Sequence, residues 1–179
     1  DALPISNEST IFIGDQANMP YGDRSKEEII SLTRDSVNFL LSKDVKIIIF
    51  GCNTATAVAM STIQKEVPLQ IIGVVQSGAL AAARTTETKN VAVIGTKATV
   101  NSHSYLKEIQ YRDPEIQVSE FAQPKLAPLA EEDPAEEIKQ AVVSESLAPL
   151  KNIDYDTLVL GCTHYPLLRD EIVAVVGQD

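Results

Sequence analysis

The chain has 179 residues, 44% of them apolar and 22% charged, with only two cysteines. That length can bury the core of one or two small domains, and no apolar run approaches the roughly 20 residues that cross a bilayer. A net charge of −10 argues against nucleic acid and anionic membrane as partners, since both need a basic face, and two cysteines are too few for a secreted disulfide scaffold, which points to reduced thiols in the cytoplasm.

The chain opens at Asp1 rather than Met, so a leading segment is expected to be missing. Thr10–Gly14 reads as the first strand. Ser25-Lys-Glu-Glu28 is a capping box, and Ile29, Thr33, Val37, Leu40 and Leu41 follow along one helical stripe. Val45–Phe50 reads as a strand that stops at Cys52, with a helix expected after it. Ile71–Val75 is the next strand, and the small-residue stretch Ser77-Gly-Ala-Leu-Ala-Ala-Ala beside it suits a domain boundary near Gln76–Gly78. Val91–Gly95 ends in a glycine that permits a tight strand-to-helix turn. Thr96 and Thr99 suit helix caps, Thr99–Gln110 reads as a helix, and His103 reads as a surface residue on it. Ile116–Glu120 is a further strand, and Glu131–Asp133 reads as a short acidic loop. Pro134 suits the first turn of a helix that runs to about Leu147. Thr157–Leu160 is the last strand and stops at Cys162. Pro166 opens a final helix at Leu167–Val176.

Most of these strands are unbroken apolar runs, as in parallel sheets covered on both faces. Their alternation with helices gives an α/β class with parallel sheets. Gly51-Cys-Asn-Thr and Gly161-Cys-Thr-His form a weak internal repeat. Two pseudo-symmetric α/β domains follow from it, residues 1–76 and 77–179, with the site in the cleft between them.

Ligands of open α/β sheets bind beyond the carboxyl ends of the strands, where both cysteines fall. A following helix offers unpaired N–H groups and a positive dipole end, which lowers a thiol pKa. The same N–H groups, with Asn53, Thr54 and Thr163, can hold a carboxylate. Two such halves facing each other put one sulfur on each side of a ligand. One thiolate then removes a proton from a carbon, a thiol returns one to the opposite face, and the centre inverts. The plainer readings are two small buried cysteines, a disulfide, or a zinc site drawing on Cys162, His164, Cys52 and His103. The separations do not match a structural zinc pattern, so no metal is expected. There is no glycine-rich phosphate loop and no pattern that singles out a Schiff-base lysine, so no cofactor is expected.

The chain resembles the glutamate racemases, within the cofactor-independent aspartate/glutamate racemase superfamily. The stretches that carry the resemblance are Ile13-Gly-Asp15, Met19-Pro-Tyr-Gly22, Gly51-Cys-Asn-Thr-Ala-Thr-Ala57, Val93-Ile-Gly-Thr96, Ala148-Pro-Leu150 and Leu160-Gly-Cys-Thr-His-Tyr-Pro-Leu-Leu168. The resemblance implies that Cys52 and Cys162 are the two bases, with His164 assisting Cys162 and Glu131 as an auxiliary acid. It implies that Asp15, Pro20, Tyr21 and Gly22 lie at the substrate pocket, and that Asn53, Thr54, Thr163 and His164 bind the amino acid. It further implies interconversion of L- and D-glutamate for peptidoglycan, and a homodimer. The family's opening Asp-Ser-Gly turn, whose aspartate acts beside the first cysteine, has no counterpart before Thr10. Asp1–Glu8 reads as the tail of the helix that follows that turn. The segment that returns to complete the first domain has no counterpart either. The expectation is a piece truncated at both ends, poorly stable and inactive by itself. Aspartate as substrate, and a two-lobed acid-binding protein without catalysis, remain as alternatives.

Overall fold

The computed structural model describes residues 8–177, so the helix tail expected at Asp1–Glu8 lies outside them apart from Glu8. The order is α1 Lys26–Leu41, β1 Ile48–Phe50, α2 Asn53–Val58, α3 Met60–Ile63, β2 Ile71–Gly73, α4 Val74–Thr85, β3 Asn90–Gly95, α5 Lys97–Ser102, α6 Ser104–Arg112, β4 Gln117–Ala122, α7 Leu126–Glu132, α8 Glu136–Leu147, β5 Thr157–Gly161 and α9 Arg169–Val176. Two parallel sheets result, β1–β2 and β4–β3–β5. Ile49 lies opposite Ile72 in the first, and Val93 lies between Glu120 and Val159 in the second.

The capping box forms. The Ser25 hydroxyl accepts the Glu28 N–H while the Glu28 carboxylate accepts the Ser25 N–H. The α1 stripe then buries Ile29 and Val37 against Ile48, Phe50 and Ile63. In the larger sheet, β3 is central and every residue from Val91 to Gly95 is buried. One face carries α4 and α6 through Val75, Ala79, Tyr105 and Ile109. The other carries α7, α8 and α9 through Leu126, Leu129, Val143, Leu147 and Ile172. Central position between helical layers is what an unbroken apolar strand requires.

Several expectations are corrected. Thr10–Gly14 makes no strand, and Ile11 and Phe12 lie exposed. Strand propensity alone cannot hold an extended segment without a ladder partner. The expected helix at Thr99–Gln110 is broken at His103, whose φ of 53° is left-handed. The flanking serines explain the break. Ser102 Oγ binds the Thr99 carbonyl and also accepts the Ser104 N–H, so the side chain substitutes for the helical partner. Glu131–Asp133 is not a loop, since Glu131 and Glu132 close α7, which is anchored by buried Leu126 and Leu129. Apart from these corrections, the small-residue stretch beside Gln76 lies within α4. Finally, β1 and β2 alternate instead of being buried throughout, leaving Ile49 58% and Ile72 41% exposed.

Candidate active site

Cys52 and Cys162 leave equivalent positions. Cys52 lies two residues past β1 and is the N-cap of α2. Cys162 directly follows β5 and precedes a short 3-10 turn at Tyr165–Leu168. Both are free thiols, Cys52 exposed and Cys162 buried. Burial pushes the Cys162 thiol up to about 11, against the His164 N–H, which favours the thiolate, and with a further upward push from Cys52. The expected lowering at a helix start does not occur at Cys162, because desolvation outweighs the N–H donors there.

Around Cys162 two side-chain contacts follow one another. His164 Nδ1 lies 3.6 Å from Cys162 Sγ, and His164 Nε2 lies 2.7 Å from Glu131 Oε1. Glu131 reaches this position from the last turn of α7. Thr163 between them is exposed.

On the Cys52 side, Asn53 and Thr54 are the first residues of α2 and are 6% and 3% exposed. The Thr54 hydroxyl lies 3.0 Å from that of Thr96 and 3.3 Å from that of Thr99, and those two are 3.0 Å apart. The Asn53 amide oxygen accepts a 2.6 Å bond from the Tyr105 hydroxyl. Both contacts cross from the β1–β2 half to the β3–β5 half. Thr96 does cap α5, accepting the Thr99 N–H, but neither the threonine cluster nor the Tyr105 contact follows from the sequence pattern. The Thr96–Thr99 spacing was the visible signal. Tyr105 carried none.

The loop before α1 forms a second group. Tyr21 donates a 2.6 Å hydrogen bond to Asp15, and Asn18 donates another of 2.8 Å. The Tyr21 contact first, then Asn18, hold the Asp15 carboxyl below its ordinary value. Burial, and then Asp15, push the Tyr21 phenol well above its own value, with Cys52 adding to the push. Gly22 packs on Thr96, where a Cβ would come within 2.8 Å, so only glycine lets this loop close on α5. Pro20 is exposed. Among the described residues there is no cluster of three or more histidine, cysteine or acidic side chains able to hold a metal. No helix there is long and apolar enough to cross a membrane. A separate cavity of about 640 Å³, lined by Arg24, Thr56, Met60, Gln76 and Lys107 among others, takes in neither cysteine.

The family model for Asp/Glu/hydantoin racemases matches residues 3–178. The chain belongs to that family. A glutamate racemase of Lactobacillus johnsonii is 94% identical over 175 residues, a match covering 98% of this chain and 66% of that protein. The chain thus spans just under two thirds of that relative's length. Among solved structures, a glutamate racemase isoform from Bacillus anthracis superposes with a TM-score of 0.88 at 38% identity, covering 92% of this chain and 62% of that one. The Francisella tularensis glutamate racemase in complex with D-glutamate gives 0.84 at 30% identity, covering 91% and 62%. The α/β class with parallel sheets is the fold of this family.

Proposed function

We propose that the chain carries the reacting part of a glutamate racemase, interconverting L- and D-glutamate by proton transfer at the α-carbon without cofactor or metal. The observation that carries this reading is the pair of cysteines at matched strand ends, one open and one buried, in a chain so close to a glutamate racemase. The site lies between two lobes, residues 1–76 and 77–179, with the boundary in the first turn of α4. The protein works in the cytoplasm as a homodimer, and its D-glutamate supplies peptidoglycan.

The chemistry follows from the two thiols. A cysteine thiolate takes the α-proton, so that a C–H bond breaks and an S–H bond forms. The opposite thiol gives its proton to the other face, and the C–H bond is restored with inverted configuration. No oxidant or reductant is needed. Cys162, held as a thiol by its burial, is the proton donor when Cys52 is the base. In the reverse turn the His164–Glu131 pair assists removal of the Cys162 proton. Asn53, Thr54, Thr163 and His164 bind the carboxylates and ammonium, while Asp15, Pro20, Tyr21 and Gly22 wall the pocket. A donor-lined site of this kind stabilises the charge that develops on the carboxylate as the proton leaves.

The test is deuterium wash-in. The complete gene product, dialysed free of small molecules, is incubated in D₂O with each enantiomer of glutamate and of aspartate. Optical rotation of both glutamate enantiomers should decay to zero with one deuterium gained at the α-carbon. Aspartate should lag, because one methylene in a pocket is worth only about 1–3 kcal/mol, or about 10- to 200-fold. Faster turnover of aspartate would replace the substrate. Binding without deuterium gain would leave a two-lobed acid-binding protein.

A further inference from the structure

Tyr105 is buried at the junction of the two halves, only 2% exposed, in the first turn of α6. Its ring lies against two glycines. A Cβ at Gly78 would come within 3.0 Å of the Tyr105 hydroxyl, and one at Gly161 within 3.2 Å of the ring. Gly161 is the residue before Cys162. The hydroxyl itself bonds Asn53 Oδ1 at 2.6 Å, and Asn53 is the residue after Cys52. One side chain therefore touches the backbone neighbour of each cysteine. We infer that Tyr105 is a positioning residue that fixes the Asn53 amide, so that its NH₂ group is presented to the substrate while the strand bearing Cys162 is held in register with α2.

The direction of the hydrogen bond decides the orientation of the amide. Were Asn53 turned over, its NH₂ would donate to the phenol oxygen and the phenol proton would be left buried without an acceptor, which is the costlier arrangement. With the oxygen engaged, no other group among the described residues holds the Asn53 NH₂ in a hydrogen bond. Those two N–H donors are then free for a carboxylate. Gly78 and Gly161 leave the room that keeps the ring in one place, and a ring so packed cannot swing away from the amide.

This inference rests on the racemase reading, and the experiment separates the two. Tyr105→Phe in the complete gene product keeps the ring and removes only the hydroxyl. The expected result is a KM for glutamate raised about tenfold with kcat changed much less, as when binding common to ground and transition state is lost. A residue important only for folding would move the melting temperature and the fraction of active protein, but not that split. The double variant Tyr105→Phe with Asn53→Ala should be no worse than Asn53→Ala alone, because the hydroxyl acts through the amide. Gly78→Ala, which crowds the hydroxyl from the far side, supplies a second probe should Tyr105→Phe fold poorly, and it should raise KM in the same sense. Wild-type turnover with an unchanged KM in both Tyr105→Phe and Gly78→Ala, or fully additive losses with Asn53→Ala, overturns the role of Tyr105 and leaves the racemase reading intact. Absence of both turnover and glutamate binding in the wild type overturns the two together.

Discussion

At the scale of single residues the two thiols are not equivalent. Cys52 is exposed, whereas Cys162 is 7% exposed and its thiol is pushed up to about 11 by burial. The thiolate is the reactive form, so accessibility and pKa act in the same direction. Iodoacetamide at about pH 8 should modify Cys52 first. The rate at Cys162 should continue to climb between about pH 9 and pH 11, as its thiolate fraction grows. Peptide mass mapping over time reads both rates, and equal rates at the lower pH would contradict the asymmetry. The cysteines, Asn53, Thr54 and His164 were all legible as motif residues, because each sits at a strand end that the apolar pattern marks. Tyr105 was not legible. Its partner Asn53 is 52 residues away, and nothing local distinguishes a tyrosine that bonds an amide from one that fills a core.

At the scale of elements, the connection from α4 to β3 is fastened by one carboxylate. Asp156, just before β5, accepts from the Thr86 hydroxyl, the Glu87 and Thr88 N–H groups and the Thr157 hydroxyl. Desolvation opposes its charge, but the donors, led by the Thr88 N–H, win and hold the carboxyl far below its ordinary value. A depressed folded-state value stabilises the fold above the ordinary carboxylate pKa, and that stability is lost as pH falls below it. Asp156→Asn should therefore melt at a lower temperature than wild type at neutral pH, with the gap closing as pH falls through and below about 4. A gap that stays constant from neutral to acid would show that the ionised form contributes nothing. Strands and helices were largely legible here, since β3, β5 and α1 follow their apolar patterns closely. The failures have local causes. The serine pair around His103 diverts the backbone. From Glu131 to Asp133 three acidic residues in a row look like a loop, although Leu126 and Leu129 anchor a helix there.

At the scale of the whole molecule, the two halves are joined by polar contacts that α2 makes with α5 and α6. These are Thr54 with Thr96 and Thr99, Asn53 with Tyr105, and the Ser104 hydroxyl on the Ala57 carbonyl. The threonine and Asn53 contacts, beside the residues that follow Cys52, thus set one half against the other. The two-sheet architecture was legible from the repeat of Cys-Asn-Thr and Cys-Thr-His. The exposure of Ile49 and Ile72 on the smaller sheet was not, because an apolar run reads the same whichever surface covers it. The proposed mechanism requires both sulfurs to take part in each inversion. The direct measurement is glutamate racemisation by the complete gene product carrying Cys52→Ser or Cys162→Ser, followed by optical rotation beside the wild type. Each variant should lose racemisation, while slow exchange of the α-proton of a single enantiomer is retained, since one acid–base group is left on one face. Undiminished racemisation in either serine variant would contradict the two-sulfur mechanism.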